Sequence, residues 1–411
     1  MKLTGFLFAA ALLGACTQAA EENYTRHVDP KIGTGGHGHV FVGANVPFGL
    51  VQVGPTSIPQ TWDWCSGYHA SDSTVIGFSH THLSGTGIGD LFDVTVMPVT
   101  GDVTYARGEE ADPASGLWSY ADRTQEIARP GYYSVPLTRY GIRAELTATA
   151  RVGLHRYTFP ASDAAAVVFD LENGGCWDKA TETHLAKEGD RTVTGWRHST
   201  GWAKDQRVYF AAEFSKPFEK FETIGDNYAR ASFRTTDGEQ VSLKVALSPV
   251  SVEGAKANLA AELSGWDFDA TAKAADKAWN DELSKVKIET ADETARRIFY
   301  TALYHTMIAP SLFCDVNGDY YGSDHAIHRN AGFTNYTTFS LWDTYRAAMP
   351  LMTVLHPEKM ADIVQTMLHI SDEQGRLPVW HLWGNETDCM VGNPGIVAVA
   401  DAIVKGIGGF D

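Results

Sequence analysis

This sequence has few cysteines, no concentrated basic segment and no apolar run of bilayer length. Its net charge of −17 is spread along the chain, with 33 Lys and Arg residues against 50 Asp and Glu residues. Nucleic acids and anionic membrane surfaces are bound through concentrated Lys and Arg. The composition therefore argues against both as partners.

The first residues have the pattern of an export signal. Lys2 precedes a short apolar run over residues 6–13, and small residues follow it. This run is far shorter than the roughly 20 residues that span a bilayer, so it does not predict a transmembrane helix. The ending LLGAC is typical of a bacterial lipobox and predicts a signal segment over residues 1–20 with lipidation of Cys16. An ordinary signal that is cut after a small residue is the alternative. We expect an exported protein, either periplasmic or held at the outer membrane by an N-terminal lipid.

The remaining cysteines are far apart in the sequence, and none lies in a C-x-x-C pair. Four cysteines allow three disulfide pairings, and isolated thiols are an equal alternative. The sequence does not choose among these states for Cys65, Cys176, Cys314 and Cys389.

The hydrophobic pattern changes period near residue 255. Up to about residue 250, short alternating segments rich in Val, Thr, Tyr and Phe are separated by turn residues, which is typical of a β-sandwich. Apolar residues later recur at helical spacing. The predicted fold class is multidomain, β then α. A β-sandwich domain is predicted over residues 21–255, a helical linker over residues 256–289, and the first helices of a truncated α/α barrel over residues 290–411.

Helix signals support the second half of this prediction. Thr290 and Glu293 have the spacing of a capping box, and Gly375 is placed to end a later helix. Two apolar stripes are predicted between these signals. One contains Ile298, Phe299, Ala302, Leu303 and His305, and the other contains Met360, Ile363, Val364, Met367 and Leu368.

Three groups of histidines, at positions 37 and 39, 69, and 80 and 82, raise the question of a metal site. His-x-His on a strand places both rings on one face, which can suit zinc. Neither pair is followed by a carboxylate or thiol at a recognised spacing. We therefore expect histidines that line a polar cleft rather than hold zinc, with purely structural histidines as the other alternative. The glycine-rich segments nearby lack the lysine of a phosphate loop, so a nucleotide site is not predicted.

Three segments combine tryptophans with neutral polar groups and carboxylates: WDWCSGYHASDSTVIGFSHTHLSGTG, FTNYTTFSLWDTYRA and GRLPVWHLWGNETDCMVG. Asp343 and Arg346 are three residues apart and could form a simple helix-surface ion pair. That alternative does not explain the surrounding tryptophans. Sugars offer an apolar ring face for stacking and hydroxyls for bidentate hydrogen bonds. The segments therefore predict two walls of a carbohydrate cleft.

These segments, together with VDPKIGTGGHGHVFVGANVPFGLVQVGP and in the same order, resemble the exo-acting bacterial α-mannosidases of glycoside hydrolase family 92. The resemblance runs from Val28 to the C-terminus. It implies a β-sandwich that leans on an (α/α)6 barrel, with the active site between them. It also implies calcium-dependent hydrolysis of α-mannosides, mostly α-1,2 linked, with inversion at the anomeric carbon. The implied substrate-binding residues are Trp62, Trp64, His82, Asp343, Arg346, Trp383 and Glu386.

One departure from the family pattern concerns catalysis. Inverting hydrolysis needs a carboxylic acid and a carboxylate base about 6.5–9.5 Å apart. The family motifs expected to carry them, like E-G-N-x-W-Q-Y and N-D-D-x-G-x-x-S-A, do not occur in this sequence. We therefore expect the catalytic pair beyond residue 411, and a chain that is the N-terminal part of a mannosidase or pairs with a second chain that completes the barrel. A non-catalytic mannose-binding surface lipoprotein is the alternative. The sequence does not identify ligands for calcium.

Overall fold

The structure is a computed structural model that describes residues 22–174 and 177–410. The predicted signal segment with Cys16 lies outside the described residues, as does Cys176. Within the described ranges, no helix combines the length and the apolar character needed to cross a lipid bilayer.

The first half is built from antiparallel strands in two large sheets. The strands are β1 (Gly54–Thr56), β2 (Thr74–Val75), β3 (Gly77–Ser79), β4 (Thr95–Thr100), β5 (Ser119–Tyr120), β6 (Ile127–Arg129), β7 (Tyr132–Leu137), β8 (Ile142–Ala148), β9 (Val152–Phe159), β10 (Ser162–Asp170), β11 (Lys179–Glu188), β12 (Thr192–Thr200), β13 (Gln206–Phe214), β14 (Lys220–Ile224), β15 (Tyr228–Thr235) and β16 (Glu239–Ser248). One sheet has the order β1-β3-β4-β10-β15-β14, the other has the order β11-β12-β13-β16-β9-β8-β7-β6, and β2 pairs separately with β5. Short 3₁₀ helices occur at Tyr24–His27, Trp62–Trp64 and Arg123–Gln125.

The core of this half lies between the two sheets. Alternate residues of each strand point inward, because side chains along a strand alternate between its two faces. Phe169 from the first sheet stacks on Phe210 from the second, with ring centroids 6.0 Å apart. The same interior contains Arg197, fully buried, which is paired with Asp93 and Asp178. This half is a β-sandwich, as predicted.

The second half is helical, with short strands in its loops. The helices are α1 (Val252–Glu262), α2 (Phe268–Leu283), α3 (Glu293–His305), α4 (Leu341–Thr344), α5 (Ala348–Leu355), α6 (Pro357–Gln374) and α7 (Pro394–Val404). The short strands are β17 (Ser311–Leu312), β18 (Tyr320–Tyr321), β19 (Ile327–His328), β20 (Tyr336–Thr337), β21 (Phe339–Ser340), β22 (Trp380–Leu382) and β23 (Asn385–Glu386). The order of a β-rich half followed by a helical half is thus as predicted, whereas the assignment of these helices to a truncated α/α barrel stays a prediction.

The helix ends show how local sequence sets these bounds. Helix α3 is capped by Asp292, whose carboxylate accepts hydrogen bonds from the backbone N–H groups of Thr294 and Ala295. The predicted cap at Thr290 is therefore wrong, because the Thr290 hydroxyl instead accepts from the Asp292 N–H at 3.0 Å. The predicted stop at Gly375 is confirmed by its left-handed φ of 84°.

The two halves pack closely together. The segment predicted as a linker lies against the sandwich, where Phe268 and Ala272 of α2 pack with Val152 and Leu154 of β9. The indole Nε1 of Trp279 donates to the backbone carbonyl of Asn45 at 2.7 Å. This contact and its neighbours fix the loops of the sandwich against the helices, and a cleft opens at their junction.

Candidate active site

A cavity of about 270 Å³ lies at the junction of the two halves. Its β-rich wall is the loop 84–86, which follows the predicted histidine pair 80 and 82. Its helical wall comes from the end of α3, the segment 338–344 and the start of α5. The lining residues are Ser84, Gly85, Thr86, His305, Thr306, Ala309, Pro310, Thr338, Ser340, Asp343, Thr344, Ala348 and Met349. We refer to this cavity as the junction cleft.

Asp343 is the carboxylate of the junction cleft. It lies in the short helix α4, is exposed to solvent, and its Oδ2 accepts a hydrogen bond from the Ser340 hydroxyl at 2.6 Å. Among the described residues that line the cleft, it is the only acidic one. The carboxylate is thus oriented by Ser340 and open to a ligand.

Arg346 lies near Asp343 in sequence but does not pair with it in the described structure. Its Nε donates to the Tyr345 hydroxyl at 2.8 Å, and its guanidinium carbon lies 5.3 Å from the centre of the Tyr345 ring. The side chain is exposed and does not line the junction cleft. The ion pair considered as the alternative for Asp343 and Arg346 is therefore wrong for this structure.

His305, predicted to belong to an apolar helix stripe, lines the junction cleft. It is the last residue of α3, and its Nε2 atom is buried without a hydrogen-bond partner in the described structure. Burial lowers the pKa of His305 to about 4. A neutral imidazole at the cleft wall can exchange hydrogen bonds with ligand hydroxyls without adding charge.

His82 lies behind the cleft loop rather than on its surface. Its Nδ1 atom is 2.8 Å from the carbonyl oxygen of Gln52, and its ring packs between Phe41 and Phe92. Burial lowers the pKa of His82 to about 3, so the ring is neutral. Its Nε2 atom is buried and has no partner in the described structure. His82 therefore packs in the interior beside Phe41, whose backbone N–H donates to the Ser84 hydroxyl, and it does not line the junction cleft.

The two tryptophans of the first predicted wall differ in exposure and contacts. Trp62 is 49% exposed, and its Nε1 donates to the carbonyl of Gly87, next to the cleft loop. Trp64 donates from Nε1 to Asp72 at 2.6 Å, and its ring is stacked on His69 with centroids 4.3 Å apart. Trp62 has an open aromatic surface beside the cleft, whereas one face of Trp64 is covered.

Trp383 and Glu386 do not line the junction cleft. Trp383 is 2% exposed, belongs to the core between the two halves and packs edge-on against Phe313. The carboxylate of Glu386 accepts hydrogen bonds from the backbone N–H groups of Val379, Trp380 and Asp388. Contact of either residue with a sugar stays a prediction. Trp383 fills the core, and Glu386 holds the backbone around the strands β22 and β23.

A larger cavity, of about 800 Å³, lies on the β-rich half around Arg107, Glu172 and Asp178. None of the predicted site residues lines it. The junction cleft is smaller, yet it joins Asp343 to the loop beside Trp62. We therefore assign the candidate active site to the junction cleft on its chemistry rather than on its volume.

The junction cleft offers one carboxylate, one neutral imidazole and several hydroxyls, with an exposed tryptophan nearby. Hydroxyls and a carboxylate can exchange hydrogen bonds with a sugar, and an indole can cover an apolar sugar face. The described lining residues do not contain the second carboxylate that acid–base hydrolysis needs. The site as described therefore fits carbohydrate binding.

Comparison with known proteins identifies the family of the chain. Residues 27–248 match the glycosyl hydrolase family 92 N-terminal domain, and residues 254–411 match the family 92 catalytic domain. The chain belongs to glycosyl hydrolase family 92.

Similar solved structures come from the same family. A family GH92 α-mannosidase from Bacteroides thetaiotaomicron, solved in complex with mannoimidazole, is 38% identical with a TM-score of 0.91 and covers 95% of this chain and 54% of its own. A family GH92 inverting mannosidase from the same organism is 28% identical with a TM-score of 0.83, over 95% of this chain and 54% of its own. An uncharacterized secreted glycosidase of Arthroderma benhamiae is 25% identical over 99% of this chain and 53% of its own length. The chain thus spans about half the length of these relatives.

Proposed function

We propose that this protein is the sugar-binding part of an exo-acting α-mannosidase that hydrolyses α-1,2-mannosides of N-glycans or mannan with inversion. The observation that supports the proposal is the junction cleft, which is lined by Asp343 on one wall and by the loop 84–86, beside Trp62, on the other. The relatives support the substrate class, since two of them are mannosidases and one was solved with mannoimidazole.

The proposed binding mode follows from the contacts of the cleft. Asp343, already oriented by Ser340, accepts hydrogen bonds from hydroxyls of a terminal mannose. The hydroxyls of Ser340 and Thr338 and the imidazole of His305 surround the same space. Trp62 covers the sugar, or the next one along the chain, at the cleft mouth. This arrangement binds a chain end, which agrees with exo action.

We propose that the catalytic acid and base lie beyond residue 411, in a further segment or in a second chain. Inversion requires two carboxyl groups on opposite sides of the bond that is cut, and the described cleft holds Asp343 alone. Exposed apolar residues on the helices agree with additional protein beside this half. They include Val354 at 69%, Ile403 at 56% and Val404 at 86% exposure. We propose that a further segment, or a second chain, packs there and completes the barrel.

We also propose that hydrolysis depends on calcium, and the only support for this is the resemblance to the family. Calcium takes about six to eight oxygen ligands. The described cleft residues offer one carboxylate and a few hydroxyls, so by themselves they do not make such a site. The test is mannose release by the protein purified from its source organism, which should stop in EGTA and return with added calcium.

Export to the periplasm or the outer membrane is also proposed. One relative is described as secreted, which agrees with export. If Cys16 carries a lipid, the protein partitions into detergent, and Cys16→Ala moves it to the aqueous phase. Unchanged partitioning of the variant would refute the lipid anchor and leave export by an ordinary signal.

The second candidate function is a surface lipoprotein that binds mannose and does not cut it. The single carboxylate of the described cleft favours a protein that binds mannose without cutting it. The discriminating assay uses α-1,2-mannobiose, calcium and the protein from its source organism, with the released anomer followed by NMR. Early β-mannose supports an inverting enzyme, whereas binding without any mannose release supports the lipoprotein.

The 411-residue chain is tested separately. We expect it to bind mannoimidazole and to release no mannose, because loss of each general acid or base commonly costs about 10²–10⁴-fold in rate. Multiple turnovers by a homogeneous preparation would place the acid and base within this chain. Absence of any binding would remove the junction cleft from the proposal.

A further inference from the structure

Beside the junction cleft, and outside its lining, three side chains with metal-binding atoms meet. The Nδ1 atom of His37 lies 2.6 Å from the Oδ1 atom of Asp63, and the Nε2 atom of His39 lies 3.2 Å from the same oxygen. The three atoms all lie within 4.8 Å of one another. Asp63 is distant in sequence from both histidines, so a search for a carboxylate at short spacing misses it.

The backbone at His39 holds this cluster in place. His39 has a φ of 53°, in the left-handed region that non-glycine residues rarely adopt. Its carbonyl oxygen accepts hydrogen bonds from the Ser66 hydroxyl at 2.6 Å and from the Gly85 N–H at 2.7 Å. The chain before it is tightly folded, since a Cβ at Gly38 would lie 1.6 Å from the Gly33 carbonyl oxygen. Strained backbone that its surroundings maintain is frequent at functional sites.

The three ligand atoms suit a metal ion by their chemistry, and an ion can reach them from solvent. Two imidazoles and one carboxylate with an open fourth position are a common ligand set for zinc. The Oδ2 atom of Asp63 accepts no hydrogen bond from any described residue, so it remains available to an ion. The His37 side chain is 76% exposed, whereas that of His39 is 6% exposed, so the cluster opens to solvent on one side only.

We propose that His37, His39 and Asp63 bind a divalent transition-metal ion of the zinc class. The proposal does not depend on mannoside hydrolysis, since its ligands are not part of the junction cleft. Each imidazole replaces its hydrogen bond to Asp63 by a bond to the ion, and Asp63 contributes one carboxylate oxygen.

The bound ion would fix the rim of the cleft. The Trp62 ring lies edge-on against His39 with centroids 4.3 Å apart, and its Nε1 donates to the carbonyl of Gly87. His39 is itself bonded to Gly85 in the cleft loop. An ion that orders the two histidines therefore orders Trp62 and the loop 84–87.

A second cluster in the described structure provides a matched control. Asp324, His328 and Glu373 also bring together three potential ligands. There, however, the Glu373 oxygens accept from the Tyr320 hydroxyl at 2.6 Å and from the Ser323 N–H at 2.7 Å. These carboxylate oxygens are already used, and one imidazole with two carboxylates is a weaker zinc set than two imidazoles with one. His328→Ala is therefore the control variant.

The test uses the 411-residue chain made without a histidine tag and freed of metal by chelation. Zinc binding is measured by calorimetry, and cobalt is added separately because four-coordinate Co²⁺ has strong visible absorption. We expect one zinc ion per chain and a cobalt spectrum typical of nitrogen and oxygen ligands. His37→Ala and Asp63→Asn should each weaken zinc binding by more than about 100-fold, since loss of even an outer-shell partner commonly costs 10–100-fold.

The control variant and a folding measurement distinguish loss of the metal ligands from loss of the fold. His328→Ala should keep the wild-type affinity and the cobalt spectrum. His37 is exposed, so its variant should keep the wild-type circular dichroism and thermal transition. The proposal is overturned if the chain binds no zinc at neutral pH, if folded His37→Ala binds it as the wild type does, or if only His328→Ala loses it.

Discussion

The indole of Trp62 donates a 2.8 Å hydrogen bond from Nε1 to the carbonyl oxygen of Gly87. This bond joins the 3₁₀ turn that carries Trp62 to the loop that forms one wall of the junction cleft. The ring also lies close above the Gly87 Cα, since a Cβ at that position would be 2.5 Å from the Trp62 Cζ2 atom. The absence of a side chain at residue 87 is thus what allows the indole to lie against the loop.

Gly87→Ala should displace the Trp62 ring and weaken mannose binding. The loss expected is about 1 kcal/mol, or roughly fivefold in affinity, the value of an ordinary hydrogen bond. Calorimetry with mannoimidazole measures it. Gly265→Ala is the matched control, because a Cβ there meets nothing within 4 Å. Equal affinity of the two variants would show that Trp62 does not contact the ligand.

Asp343→Asn should weaken binding of the same ligand while leaving the fold intact. The carboxylate is exposed in the cleft, and its loss removes charge-assisted hydrogen bonds worth about 1.5–3 kcal/mol. The expected change in Kd is about 10–100-fold. Asp237→Asn, at an exposed turn of the β-sandwich, is the control. Wild-type affinity of the Asp343 variant would place the sugar elsewhere.

The buried imidazole of His305 should make stability depend on pH. Burial lowers its pKa from 6.5 to about 4, so between these values the unfolded chain binds the proton and the folded chain does not. Stability is therefore lost as the pH falls from 7 to 5, and this one group accounts for about 2 kcal/mol of the loss. Urea unfolding of His305→Gln should show a correspondingly smaller loss over that range. A wild-type slope in the variant would contradict the buried neutral state.

Arg197→Met should destabilise the β-sandwich strongly. The guanidinium is fully buried, with Asp93 at 2.7 Å and Asp178 at 3.0 Å. Removing it leaves two buried carboxylates without their cation, which commonly costs about 3–5 kcal/mol. Arg234→Met, in an exposed pair with Glu219, should change the free energy of unfolding little. Similar urea midpoints for the two variants would refute the structural importance of the buried pair.

The sequence predicted the parts of the fold that a periodic pattern determines. The α6 stripe is one, since Met360, Ile363, Val364 and Met367 are all 0% exposed. The α3 stripe was only partly right, because Ile298 is 56% exposed whereas Tyr304 is fully buried. The helix buries tyrosine instead of isoleucine because aromatic partners from other elements meet it there. Tyr304 packs against Trp279 at 4.4 Å.

In the candidate site, too, the sequence predicts only those residues that a local pattern or motif identifies. Asp343 could be predicted because the motif around it resembles a family segment. His305 looked like one more member of a helix stripe, and only the junction with the loop 84–86 turns it into a cleft residue. The pairing of Asp63 with His37 and His39 depends on how two loops fold together. Long-range contacts of this kind leave no short-range spacing for a sequence pattern to reveal.

The structural role of Glu386 affects what the WGNETD segment indicates when it is found in another sequence. Its carboxylate accepts three backbone N–H bonds, so the residue stabilises that hairpin whether or not the protein performs catalysis. Selection for folding alone would then preserve the WGNETD segment in a descendant that has lost hydrolysis. A search that identifies family members by this segment therefore detects shared ancestry of the fold, and activity has to be inferred from the carboxyl groups that face the sugar.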